Sequence, residues 1–210
     1  MTRHQQVSRF IGSLIITGIL SSCANPKTEE SNSSTPIAAS KEADSRVIQA
    51  QADADTLKGS PKANAMGTIG TVGIAINYYS PAVRGRVIWG GLVPFDNVWV
   101  TGAHRATRID FDKEVVIAGV AISSGKYALF TIPGKEEWTI IINKNWEQHL
   151  ADDYNQKQDV VRVKVKPEIE EVNQERLRYV IESESDNAGE INIYWEKLEI
   201  SLPVTTASKN

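Results

Sequence analysis

The sequence contains a single cysteine, Cys23, among 210 residues. A lone thiol cannot close an internal disulfide, so the fold must stand on its hydrophobic core. Positive charge is not in excess, because the formal net charge at pH 7 is −3. That mild acidity gives no electrostatic reason to expect nucleic acid as a partner. No apolar run has the roughly 20 residues that a spanning helix needs; residues 10–20 fall well short. Catalytic signatures are missing too. There is no Gly-x-Ser-x-Gly elbow for a nucleophile, and neither a helical His-x-x-x-His pair nor a cysteine cluster for zinc. Gly119 through Gly125-Lys126 is one residue too long for a phosphate-binding loop, and Tyr127 stands where Ser or Thr would coordinate magnesium. No cofactor is expected.

The amino-terminal residues carry a signal of a different kind. Arg3 and Arg9 supply a positive n-region, and residues 10–20 an apolar segment too short to act as a stop-transfer helix. Leu20-Ser21-Ser22-Cys23 then resembles the lipobox of bacterial lipoproteins, an aliphatic residue and two small ones before the cysteine. The expectation is a signal peptide over 1–22 and a mature chain anchored in a membrane through lipidated Cys23. Several acyl chains on one cysteine anchor stably where a single chain would be marginal. Ala24 follows, not an inner-membrane-retaining aspartate, which favours the outer membrane with the protein facing the periplasm. Removal of 1–22 takes Arg3 and Arg9 away and makes the charge of −3 more negative by two.

Residues 23–59 are rich in Asn, Ser, Thr, Ala, Pro and scattered charge, as in Ser31-Asn32-Ser33-Ser34-Thr35-Pro36. Such a stretch buries too little apolar surface to offset its ordering entropy, so a flexible tether is expected. Ala, Glu and Gln over 41–57 add only a weak helical tendency. The domain proper is expected over 60–205, with a disordered tail at 206–210.

Strand periodicity runs through that domain. Residues 71–78 place large apolar side chains at alternate positions and small ones between them, and 106–111 alternate likewise. Segments 115–117 and 120–122 flank Ala118-Gly119, a tight hairpin. Segments 127–132 and 138–143 are apolar on both faces, as central strands are, with Pro133-Gly134 between them suited to a type II turn. Residues 161–166 alternate valine with basic side chains. Segments 177–181, 191–195 and 198–202 complete the set, the last out of phase with Trp195, so a bulge is expected between them. Only 146–154 suggests a helix, and a short one. The fold class is therefore all-β, an antiparallel β-sandwich of about nine strands with one short helix. The missing crossovers exclude a parallel βαβ design.

Four stretches carry a family likeness. They run from Ser80-Pro81-Ala82-Val83-Arg84-Gly85-Arg86-Val87-Ile88-Trp89-Gly90-Gly91-Leu92-Val93-Pro94-Phe95, through Val98-Trp99-Val100-Thr101-Gly102-Ala103 and Gly125-Lys126-Tyr127-Ala128-Leu129-Phe130-Thr131-Ile132-Pro133-Gly134, to Trp138-Thr139-Ile140-Ile141. Together these resemble the bacterial family called domain of unknown function 2911, over nearly the whole domain. The resemblance implies a compact β-rich domain, often behind a signal peptide, and no activity. Members often have asparagine where this chain has His104, so the resemblance gives no support to a scheme that needs a histidine there.

The segment from Arg84 to Thr107 is the sharpest candidate for function. It gathers Arg84, Arg86, Trp89, Trp99, His104 and Arg105 among glycines and prolines. Loops on a rigid sandwich are common binding sites. Arginine forks suit carboxylate or phosphate, and tryptophans suit sugar rings. The plainer reading puts the tryptophans in the core and pairs the arginines with Asp96 or Asp110. His149, Asp152 and Asp153 could share one side of a short helix and hold a cation, but a solvated acidic helix end explains them as well, and no metal is expected. The leading expectation is a non-enzymatic, membrane-tethered sandwich that binds a small molecule, a glycan or another envelope protein. The rivals are an envelope hydrolase using His104 or surface carboxylates, and a purely structural envelope component.

Overall fold

The computed structural model describes residues 46–50 and 55–207. The expected signal peptide, Cys23, the tether up to residue 45 and residues 208–210 of the expected tail lie outside them. In chain order the strands are β1 (Lys62–Ile69), β2 (Val72–Tyr79), β3 (Thr107–Phe111), β4 (Val115–Ile117), β5 (Val120–Ile122), β6 (Gly125–Ile132), β7 (Trp138–Asn143), β8 (Asp159–Val165), β9 (Glu168–Ser183) and β10 (Ala188–Thr205). They form a six-stranded sheet ordered β1-β2-β3-β6-β7-β8 and a four-stranded sheet ordered β5-β4-β10-β9. All the pairings within them are antiparallel. The all-β sandwich expected from periodicity is the fold.

The core lies between the sheets. Ile74, Ile76, Ile109, Leu129, Ile140 and Ile142 face Leu177, Ile191, Ile193, Ile200 and Leu202, all buried in one cluster. Strand β2 alternates buried and half-buried residues without a break. β1 presents smaller residues inward, because β9 presses on it: a Cβ on Gly67 would sit 2.8 Å from Ile181 Cβ. Strands β6 and β7 are indeed apolar on both faces. Their outer side buries Ala128, Phe130 and Ile141 under Val98, Trp146, Ala151 and Tyr154 from irregular segments.

Several local expectations need correction. Residues 146–154 form turns, not a helix, and the only helical turn among the described residues is 3-10, Gln156–Gln158. Short polar side chains there bond nearby backbone, which competes with helix: Asn143 Oδ1 accepts from Asn145 N–H at 2.8 Å, and Gln148 Nε2 donates to Asn145 O at 2.7 Å. Gly134 is not among the glycines with positive φ. It is needed for space instead, since a Cβ would lie 2.2 Å from Glu137 O. Ala118 and Gly119 do form the hairpin, with φ of 50° and 78°, the positive pair of a type I′ turn. The bulge in β10 is present too, with register shifts on either side of Glu196.

The fold also reaches beyond 60–205. Ile48 is buried in the core and Leu57 packs on it, while Arg46 bridges in parallel to Ala63. Arg176, buried on β9, clamps the incoming chain. Its Nε donates to Asp55 Oδ1 at 2.7 Å, Nη2 to Leu57 O at 2.6 Å, and Nη1 to Gly59 O at 3.1 Å and Ser80 O at 2.8 Å. At the far end Thr206 is buried and its N–H donates to Asn187 O at 2.9 Å, so the tail is held at its first residue.

Candidate functional site

The six residues singled out from sequence divide into two groups. Trp89 and Trp99 join Trp138 and Trp195 in an aromatic cluster at the core. Trp89 meets Trp138 edge-on at 4.8 Å and Trp195 at 5.6 Å, while Trp99 stacks on Trp195 at 5.5 Å. Trp99 Nε1 donates to Gly102 O at 3.1 Å. Arg84 and Arg86 serve the backbone of their own surroundings. Arg84 Nη2 donates to Leu57 O at 3.0 Å and Arg86 Nε to Val83 O at 3.1 Å. These four therefore bind the loop to the sandwich, as the plainer reading holds for the tryptophans. Asp110 does pair with an arginine, but with Arg108, at 3.0 Å.

His104 and Arg105 sit elsewhere, on a loop held in a strained shape. Thr101 has φ of 50° and His104 of 64°. Positive φ in a β-branched residue is a genuine outlier, and such strain persists only where the surroundings over-determine it. Here they do. The Thr101 carbonyl accepts from Tyr179 Oη at 2.6 Å and Thr107 Oγ1 at 3.0 Å, and Thr101 Oγ1 pairs with Thr131 Oγ1 at 3.0 Å. Burial pushes the Tyr179 phenol well above its ordinary pKa, so it stays protonated and remains a donor. Gly102 fits because a Cβ would meet Thr107 Oγ1 at 2.8 Å. The loop is then pinned to the segment before β8 by Ala106 N–H to Gln148 O at 3.2 Å and Leu150 N–H to His104 O at 3.1 Å.

This rigid loop forms one lip of a groove of about 550 Å³ on the outer side of the six-stranded sheet. Lys62 and Asn64 of β1, Asn77 and Tyr79 of β2, Arg105, Arg108 of β3 and Trp146 line it. Among the described residues three cations and no carboxylate line the groove. Arg108 is held by Asp110 and lies 5.5 Å over the Trp146 ring, which Lys126 Nζ also approaches at 5.1 Å. Among the described residues Asn64 Oδ1 is buried without a hydrogen-bond partner, an acceptor at the groove wall that an arriving donor would satisfy. Arg105 is thus the one sequence candidate that lines the groove, and its exposed neighbour His104 meets Tyr79 edge-on at 4.9 Å.

Chemically the cationic lining suits an anion. His104 makes no side-chain hydrogen bond among the described residues; its ring contact is with Tyr79. His149 Nδ1 does lie 3.0 Å from Asp152 Oδ2, exposed at the surface. Among the described residues no group of three or more His, Cys, Asp or Glu is placed to hold a metal ion.

Sequence reasoning missed Lys62, Asn64, Asn77, Tyr79, Arg108 and Trp146. The available signal was the polar row of β2 and β3: Asn77, Tyr79 and Arg108 alternate with buried Ile76, Tyr78 and Ile109. Comparison with curated proteins gave no match, and comparison with solved structures gave none either. A family model described as a protein of unknown function, DUF2911, matches residues 60–204, well over half of the chain. The chain belongs to the DUF2911 family.

Proposed function

We propose that this is a lipid-anchored cell-envelope protein whose sandwich binds a small, acidic, hydroxyl-bearing ligand, an acidic sugar in type, in the groove beside Arg105. The observation that carries the reading is the groove's one-signed lining: Lys62, Arg105 and Arg108 converge with no carboxylate among the lining residues, on a chain whose formal charge is −3. Guanidinium forks match carboxylates, and the unpartnered oxygen of Asn64 suits a sugar hydroxyl. Anchoring rests on the lipobox-like Leu20-Ser21-Ser22-Cys23, and the outer membrane, facing the periplasm, is the address that Ala24 favours.

The test is a calorimetric titration of the protein with glucuronate and with neutral glucose. Glucuronate binds and glucose does not; Arg105→Ala weakens binding by about tenfold or more, in line with the loss of a charge-assisted hydrogen bond. Equal binding of both sugars, or an Arg105→Ala protein that binds like the parent, contradicts the groove assignment. Mass spectrometry of the native protein tests the anchor separately: an acylated amino-terminal peptide starting at Cys23 is expected, and an unmodified one refutes it.

A further inference from the structure

The acid-binding groove does not end at Arg108. A second depression of about 610 Å³ adjoins it on the same sheet face. Ala75 of β2 and Asp110 of β3 border this trough, and each lies two residues along its strand from a lining residue of the groove, Asn77 and Arg108. That step is about 7 Å. The lining is unusual for the outer side of an exposed sheet. Gly73, Ala75 and Gly125 leave the floor almost bare of side chains, Phe111 backs it, and Met66, 73% exposed, stands at the rim.

The charged side chains around the trough each have a partner. Asp112 Oδ1 accepts from Gly73 N–H at 2.8 Å, Asp110 is bonded to Arg108, and Lys126 leans over Trp146. What is left open is carbon, bounded by two carboxylates that would repel a second anionic group. From Asn77 to Gly73 the floor extends about 13 Å. Small outward residues and an exposed methionine therefore continue a cationic seat as an apolar channel.

Resting on the reading of the groove as an acid seat, we infer that the ligand is an anionic amphiphile, its acidic head among Lys62, Arg105 and Arg108 and its alkyl chain along the trough over Gly73 and Ala75. Apolar burial then adds affinity that the head alone does not have. A free acidic sugar occupies only half of the site.

Isothermal titration of the full chain with glucuronate, octyl glucuronide and octyl glucoside, each below its micellar concentration, tests this. Octyl glucuronide binds about tenfold tighter than glucuronate or better. Ala75→Leu, which fills the trough, removes that gain, and Met66→Ser at the exposed rim reduces it. Equal affinity for glucuronate and octyl glucuronide, or a gain that survives both substitutions, overturns the inference while the acid seat stands. Octyl glucoside binding as tightly as octyl glucuronide overturns the placement of an acidic head, and no binding by any of the three removes both the seat and the trough.

Discussion

Arg176 shows how much one side chain does in this fold. Its side chain is 2% exposed and its three nitrogens bond one carboxylate and three carbonyls. Removing one partner of a buried pair strands the other, at a cost of several kcal/mol. Arg176→Ala should therefore lower unfolding stability by about 3 kcal/mol in chemical denaturation, and Arg176→Lys, which cannot reach four acceptors, should recover little of it. The hydrogen bond from Arg176 holds the Asp55 carboxyl below its ordinary value of 3.8 against the opposing effect of burial. A depressed carboxylate stabilises fully above its unfolded value, and that contribution fades as pH falls through the lowered folded one. Below about pH 3.8 the parent should thus lose stability with acid more steeply than Asp55→Asn. A second residue-scale test is Tyr179→Phe. It leaves the Thr101 carbonyl one donor short in a buried site, and should cost about 1–2 kcal/mol. It should also weaken glucuronate binding, because the loop bearing Arg105 loses its brace, although Tyr179 does not line the groove.

Among the elements, the β4–β5 hairpin carries its own strain. Ala118 adopts φ of 50°, which disfavours any residue with a Cβ by about 1 kcal/mol. Asparagine tolerates that conformation better and is favoured in this turn. Ala118→Asn should raise stability by about 0.5–1 kcal/mol in a thermal melt without moving the strands. A drop in stability would mean that the turn is not of the I′ type. Elements with large alternating side chains were legible in the sequence: β2, β3, β6, β7 and the second half of β9 all announce themselves. β1 was not, because its inward row is Ala63, Ala65, Gly67 and Ile69, sized for the close approach of Ile181. The first half of β9 was hidden for the opposite reason. Its residues Glu168 to Asn173 carry charge, with Ile169 and Val172 largely exposed, so hydrophobic periodicity has nothing to register there. The turns at 146–154 resemble a helix only in composition, and their local side-chain bonds decide otherwise.

At the scale of the molecule, the loop richest in candidate residues also packs the core. Tryptophans at 89 and 99 complete a core cluster with Trp138 and Trp195, and Arg84 and Arg86 secure backbone. Sequence order could not reveal this, because the groove is assembled across β1, β2, β3 and the segment before β8, residues 62 to 146. Each contributes one or two polar side chains that look like ordinary solvated surface when read in line. Only pairing brings them together, with Asn77 opposite both Asn64 and Arg108. Of the sequence candidates, Arg105 is the one that lines this groove, held out by the strained Thr101–His104 turn.

The most direct test is an amide and indole chemical-shift map of the protein titrated with glucuronate. Shifts clustered on Lys62, Asn64, Asn77, Arg105, Arg108 and the Trp146 indole are the predicted result. Shifts centred on Arg84, Arg86 and Trp89, or none anywhere on the sandwich, would contradict the account.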